Sequence, residues 1–294
     1  MDVMTPPATT RAPLAHGRSA AVAWSIASLI GNMGIILTGA LVRLTESGLG
    51  CDTWPKCTSE SVIPAGQGIH GAIEFGNRLL TFVLVALAIG ALVAVERART
   101  ADGDRRPDLI RLAAIAALGI PAQAVIGGIT VLMKLNPYVV AMHLLVSVAI
   151  IVVLVKLVRD CRDLMPAPVS AKGNVAAGVT FALTMLSVVL GTLVTGSAPH
   201  GGDAEAVRTG LVLELVAKVH AASGWAVLLA SLLTLAWTRH RAAVWMLLGV
   251  GLQAAVGYAQ YFAGLPIWII VLHMIGVAVI SALAANLWFS VRTR

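Results

Sequence analysis

Residues 70–95 read His-Gly-Ala-Ile-Glu-Phe-Gly-Asn-Arg and then seventeen uncharged residues, Leu79 to Val95. A run this apolar has close to the length of helix needed to cross the hydrocarbon of a bilayer. At helical spacing His70, Glu74, Asn77 and Arg78 fall close to one face, so an imidazole, a carboxylate, an amide and a guanidinium converge at the mouth of a membrane helix. An idle carboxylate is costly there, and Glu74 is therefore a candidate functional residue.

The rest of the chain has the same character. Of 294 residues, 58% are hydrophobic and only 12% charged, far from the composition of a soluble domain. Eight apolar segments are predicted, at 21–42, 75–96, 112–131, 139–156, 175–195, 213–237, 242–262 and 266–289. The expected fold is an all-α integral membrane protein in the lipid bilayer.

The formal charge of +7 raises the question of a nucleic-acid partner. Its distribution answers it. With the amino terminus inside, 15 of the 21 basic residues, among them Arg97, Arg99, Arg105, Arg106, Arg159 and Arg162, fall in inside loops and termini. This positive-inside bias predicts a multi-pass cell (plasma) membrane protein with both termini cytoplasmic, and no nucleic acid is required. Residues 1–20 read as a disordered cytoplasmic tail. The first apolar segment lacks a small-residue cleavage site close behind it and reads as a retained span.

The first outer loop holds Cys51 and Cys57, separated by Asp-Thr-Trp-Pro-Lys. On the oxidising side of the membrane such a pair is expected to form a disulfide, whereas Cys161 falls in an inside loop and stays a thiol. Metal ligation by the pair is the competing reading, without a nearby histidine or second cysteine pair to complete a zinc set.

The second half of the chain echoes the first. Gly39-Ala-Leu-Val-Arg is matched by Gly191-Thr-Leu-Val-Thr, and Gln123 and Gly127 by Gln253 and Gly257. In both halves a histidine, His143 or His273, follows the glutamine by 20 residues. These offsets predict two four-helix units, 21–158 and 175–290, joined by a cytoplasmic linker at 159–174. Four spans per unit give both the same orientation, related by a pseudo-twofold along the membrane normal.

This arrangement lets His220 and His273 face each other across the second unit. A lone histidine in such a helix is more often a packing residue, but two imidazoles on facing membrane helices are a usual way to hold a haem iron. In the first unit the equivalent positions are Asn77 and His143. Asn is a poor iron ligand, so that unit offers one imidazole and a carboxylate, as a reactive or exchangeable site would. His200 reads as exposed, and His16 and His240 as inside-surface residues.

Several motifs together resemble one family: Gly39-Ala-Leu-Val-Arg-Leu-Thr-Glu-Ser-Gly-Leu-Gly-Cys51, Trp54-Pro-Lys-Cys57, Glu74-Phe-Gly-Asn-Arg78, residues 123–132, Val-Ala-Met-His143, His220 and Leu-His273. The chain is similar to haem A synthase, the bacterial and mitochondrial family that oxidises a methyl group of haem O to the formyl group of haem A for cytochrome oxidase. The resemblance implies a b-type haem cofactor (haem b) on His220 and His273, substrate haem near His143, and Glu74 as the catalytic carboxylate. It also implies haem O as substrate, haem O synthase as a partner and an electron acceptor that the sequence does not identify, with a homo-oligomeric state left open. The family usually has histidine where this chain has Asn77, which leaves ligation of the substrate iron open among His143 alone, His143 with Asn77 and His143 with His70. Arg43 and Arg78 are candidates for the haem propionates, because guanidinium matches carboxylate. The alternatives are a cytochrome b-like electron carrier without chemistry of its own, or a transporter, which the scarcity of mid-membrane polar residues disfavours.

Overall fold

A computed structural model describes residues 12–204 and 206–293. Eight long helices dominate it: α1 (Arg18–Leu44), α2 (Gly68–Arg97), α3 (Pro107–Leu132), α4 (Pro137–Cys161), α5 (Ala171–Ser197), α6 (Leu213–Thr238), α7 (Arg241–Phe262) and α8 (Ile267–Ser290). All eight are long and apolar enough to cross a membrane. Even α7, with 22 residues, reaches about 33 Å at 1.5 Å per residue, enough for the hydrocarbon.

The helices run past the apolar segments at several ends. α2 begins at Gly68, well before residue 75, and α4 continues to Cys161. Hydropathy marks only the part of a helix that lipid touches, whereas the helix continues wherever its polar turns find partners. Local signals set several starts. Pro107 and Pro137 occupy first-turn positions that need no N–H. Asn136 and Ser170 cap α4 and α5 by accepting from the N–H groups of Tyr138 and Gly173. Pro121 lies inside α3, as membrane helices tolerate.

Helices α1 to α4 form one bundle, in which each packs against the next and α1 closes against α4. Helices α5 to α8 form a second with the same pattern of neighbours. The bundles meet where α8 packs on α1 and α4, and α4 on α5. Ile36, Ile151, Val155, Ala278 and Ala285 fill that seam, and Arg159 donates to Asn286 Oδ1 across it at 2.7 Å. Lipid is as apolar as these side chains, so close approach of small residues and interhelical hydrogen bonds hold the helices together. The buried Thr180–Thr234 hydroxyl pair at 2.9 Å between α5 and α6 is of this kind.

Two short sheets tie together one end of the molecule. Leu14–His16 (β1) pairs antiparallel with Arg99–Thr100 (β2), and Ala167–Val169 (β3) pairs parallel with Val291–Thr293 (β4). Arg106 reinforces the first sheet by donating to the Ala12 carbonyl and pairing with Asp108 at 2.7 Å. The start of the described chain, the α2–α3 and α4–α5 connections and the end of α8 therefore share one face.

The expected disordered tail 1–20 needs correction in part. Residues 1–11 lie outside the described residues. From Leu14 onward the chain is ordered, because the Leu14 side chain is buried in the same cluster as Val95, Leu109 and Leu157 and its backbone finds a strand partner.

The main bundle cores lie toward this sheet-bearing end. Leu109, Ala113, Leu154 and Leu157 fill the first, and Ala177, Ala243, Met246 and Leu287 the second. The opposite halves of the bundles are less filled, and the cavities lie there.

Candidate functional site

The larger cavity, about 700 Å³, lies inside the second bundle. Its wall includes His220 from α6 and His273 from α8. Their ring centroids are 6.2 Å apart with planes at 81°. An iron held between two imidazoles by bonds of about 2 Å puts the ring centres roughly 6 Å apart. The volume also falls in the range of cofactor pockets.

Each of these histidines stands opposite a glycine. A Cβ on Gly191 of α5 would lie 3.2 Å from His220 Cε1, and one on Gly257 of α7 would lie 3.2 Å from His273 Cε1. The absent side chains make room for the imidazoles. Hydrogen bonds brace the backbone behind them: Gln253 donates to the His273 carbonyl at 3.0 Å, and the Ser223 hydroxyl bonds both the His220 carbonyl and Ser187. Nδ1 of each ring is buried without a partner. Two imidazoles lining one cavity at this separation, in a pocket of this size, fit a bis-imidazole haem.

One rim of this cavity is basic. Arg43 and Lys218 both line it, as does His200. Lys218 pairs with Glu214 at 2.5 Å. Arg43 comes from α1 of the other bundle and donates to the His200 carbonyl at 2.6 Å. It also lines a second cavity of about 150 Å³, which contains Asn77, His143, Ser147, Arg208 and Met274. Leu144, Thr192, Thr195 and Met274 form the rest of the wall that the two cavities share.

In the first bundle the environment of His143 repeats that of His273. A Cβ on Gly127 would lie 3.2 Å from its Cε1, Gln123 donates to its carbonyl at 3.0 Å, and its Nδ1 is buried without a partner. Asn77 lines the same cavity as His143. His70 lies apart on the exposed first turn of α2, with Nδ1 2.9 Å from the Ser47 hydroxyl, and lines neither cavity.

Glu74 is only 5% exposed and is held by the loop between α1 and α2. The Cys51 N–H donates to its Oε2 at 2.6 Å, and Arg78 donates to its Oε1 at 2.5 Å. Arg78 also donates to the carbonyls of Cys51, Thr53 and Lys56, so its guanidinium braces the loop and lines neither cavity. Of the two arginines singled out for propionates, Arg43 is the one that borders the cavities. Cys51 and Cys57 are joined by a disulfide, and Cys161 is a buried thiol. Trp54, between the two cysteines, lies against α3 so closely that a side chain at position 128 would collide with its indole, which makes Gly128 a requirement of that contact. The loop thus packs on the first bundle at the end away from the sheets and anchors the Glu74 carboxylate.

Sequence reasoning missed several of these residues. Arg208 lies in the loop between α5 and α6 without a motif, and nothing in its neighbours marks it. Gly39, Gly127, Gly191 and Gly257 were visible as parts of the repeat, but only the packing shows that the last three face an imidazole.

A family model for cytochrome oxidase assembly proteins, COX15-CtaA, matches residues 22–200. A haem A synthase of Listeria welshimeri is 26% identical over 292 aligned positions, covering 90% of this chain and 93% of the relative. The haem A synthase of Halalkalibacterium halodurans is 33% identical over 149 positions, covering 49% of this chain and 48% of that one. A third, from Geobacillus kaustophilus, is 33% identical over 110 positions, covering 37% and 32%.

Proposed function

The chain belongs to the family of cytochrome oxidase assembly proteins, COX15-CtaA, and from that premise we propose a division of labour between its bundles. It is an oxidoreductase of haem biosynthesis that takes haem O to haem A. In this reading the second bundle holds a b-type haem on His220 and His273, and the first offers His143 as ligand to the substrate haem with Glu74, which like Arg78 lines neither cavity, as the catalytic carboxylate of the loop-covered end. The observation that carries the reading is the pair of facing imidazoles, spaced for a single iron inside a cavity of about 700 Å³. The matched Gln–Gly–His surroundings of His143 and His273 support a pseudo-twofold along the membrane normal, with units at 21–158 and 175–290 and the connection 159–174 between them.

When bound, the b-type haem supplies a one-electron acceptor between substrate and an external oxidant. The chain's own residues do the rest. With water as the oxygen source, conversion of CH3 to CHO releases four electrons and four protons, so the site needs a proton acceptor and a means of stabilising positive charge on the oxidised carbon. The Glu74 carboxylate fills both roles. The Cys51 N–H and Arg78 fix its direction, so that little reorganisation is needed at the moment of reaction. Arg43, between the cavities, pairs with propionates, and the Trp54 loop excludes water from the outer face.

The positive-inside bias supports a sheet-bearing face in the cytoplasm and both cavities toward the outer side of the cell membrane. Haem O synthase as supplier, a separate electron acceptor and self-association belong to the same proposal. Its test is conversion in membranes that contain the protein as their only source of this activity. Supplied with haem O, they should yield haem A on chromatography of the extracted pigments. Unchanged haem O under oxidising conditions, with the protein folded and pigmented, would overturn the assignment.

A further inference from the structure

Arg43 of α1 and Arg208 of the α5–α6 loop both line the small cavity. They meet on one short stretch of that loop: Arg43 donates to the His200 carbonyl at 2.6 Å, and Arg208 to the carbonyl of Pro199, the residue before it. Two glycines seat them. A side chain at position 201 would collide with the Arg208 guanidinium, and a Cβ at position 202 would lie 3.4 Å from Arg43 Cγ. Gly202 also has a φ of 102°, which favours glycine, and its carbonyl accepts from the Gly48 N–H at 2.7 Å, tying the loop to the first bundle.

Both arginines are half-buried, and neither forms a salt bridge among the described residues. Each uses one nitrogen on neutral main-chain carbonyls, Arg43 its Nη1 and Arg208 its Nη2, while a guanidinium carries further donors in a planar fork. Bracing the loop therefore engages only part of each group. Like charges gathered beside an apolar wall, here Ile35, Ile36, Val140 and Leu144, repel each other, and an anion between them removes that cost. The space limits what the anion can be. About 150 Å³ lies below the roughly 300 Å³ at which cofactor pockets begin, yet it has room for a carboxylate on a short arm.

We infer that Arg43 and Arg208 form a two-guanidinium site for one carboxylate at the boundary between the cavities, and that its ligand is a carboxylate arm of the molecule held in the large one. Arg43 borders both cavities, which puts the site beside the large one, and the α5–α6 loop brings Arg208 to the same place. This deepens the reading of Arg43 as a propionate partner by adding Arg208 and the glycines that seat the pair, and it rests on the second bundle being the haem site. Guanidinium forks match carboxylate oxygens, so the pair selects a porphyrin with a free carboxylate over one whose acids are esterified.

The test uses the full-length protein, produced under haem limitation and loaded in detergent with protohaem or with its dimethyl ester, which keeps the iron and ring but has no carboxylate. The low-spin spectrum reports loading, and its loss to excess apomyoglobin gives the release rate. The wild type should release the ester about tenfold or more faster than protohaem, as loss of a charge-assisted hydrogen bond requires. Arg208→Gln should release protohaem nearly as fast as the ester and leave release of the ester unchanged. Arg208→Lys, which keeps the charge but not the fork, should fall between. Equal release of the two porphyrins by the wild type, as a site for a free small anion would give, would overturn the inference. So would an Arg208→Gln protein that keeps the wild-type discrimination, or one that releases both porphyrins faster by the same factor, as a merely structural role would give. In each of those cases a low-spin spectrum leaves the cofactor reading standing. A folded wild type that gives no low-spin spectrum with protohaem would overturn both.

Discussion

The main-chain N–H of Cys51 donates to Glu74 Oε2 at 2.6 Å, so a disulfide-bonded residue of the α1–α2 loop holds the buried carboxylate of α2. Loop and helix are one unit through this bond and through Arg78, which spans from Glu74 to three loop carbonyls. Removal of the disulfide by Cys51→Ser with Cys57→Ser should loosen the loop by about 2 kcal/mol in the chain-entropy view. Protease should then cut within residues 51–67 faster than in the oxidised wild type, and haem A yield should fall with it. Equal cleavage rates would mean that the other contacts hold the loop unaided.

Glu74→Gln keeps size and hydrogen bonding but removes the proton-accepting carboxylate. Haem A production should fall about 10²- to 10⁴-fold, with haem O or its alcohol accumulating and haem b content unchanged. Chromatography of extracted haems checks this. Wild-type yield of haem A would exclude a catalytic role for Glu74.

The glycine contacts predict a graded series. A side chain at Gly191 or Gly257 presses on an imidazole, so Gly191→Leu and Gly257→Leu should weaken haem b retention about tenfold or more. Gly39→Ala meets open space and should leave haem b content as in the wild type. Haem-to-protein ratios after purification distinguish the outcomes.

Orientation is open to direct labelling. With the Cys51–Cys57 disulfide intact, a membrane-impermeant thiol reagent applied to whole cells should label Glu60→Cys and leave Ala101→Cys unlabelled until the membrane is opened. The reverse pattern would move both cavities to the cytoplasmic side.

Much of the fold was legible in the sequence, because spanning a membrane imposes a hydropathy signal that few other constraints can mask. The helix ends were not, since polar turns such as Gly68–Glu74 stay helical through contacts with a loop whose path hydropathy does not encode. The repeat of Gln123, Gly127 and His143 as Gln253, Gly257 and His273 was likewise readable as spacing. Its physical content, a glycine making room for each imidazole, emerges only when neighbouring helices are packed. The hold of Cys51 on Glu74 had no sequence signal, because it depends on where the backbone of an irregular loop passes. Arg208 reaches the small cavity for the same reason, from a loop without pattern.

The most direct test is a reduced-minus-oxidised spectrum, paired with haem extraction, of His220→Ala, His273→Ala and His143→Ala. Either of the first two removes one of the rings that stand 6.2 Å apart and should abolish the low-spin b-type signal. His143→Ala should keep that signal and lose haem O instead. Intact b-type spectra in both His220→Ala and His273→Ala would contradict the assignment of the second bundle as the cofactor site.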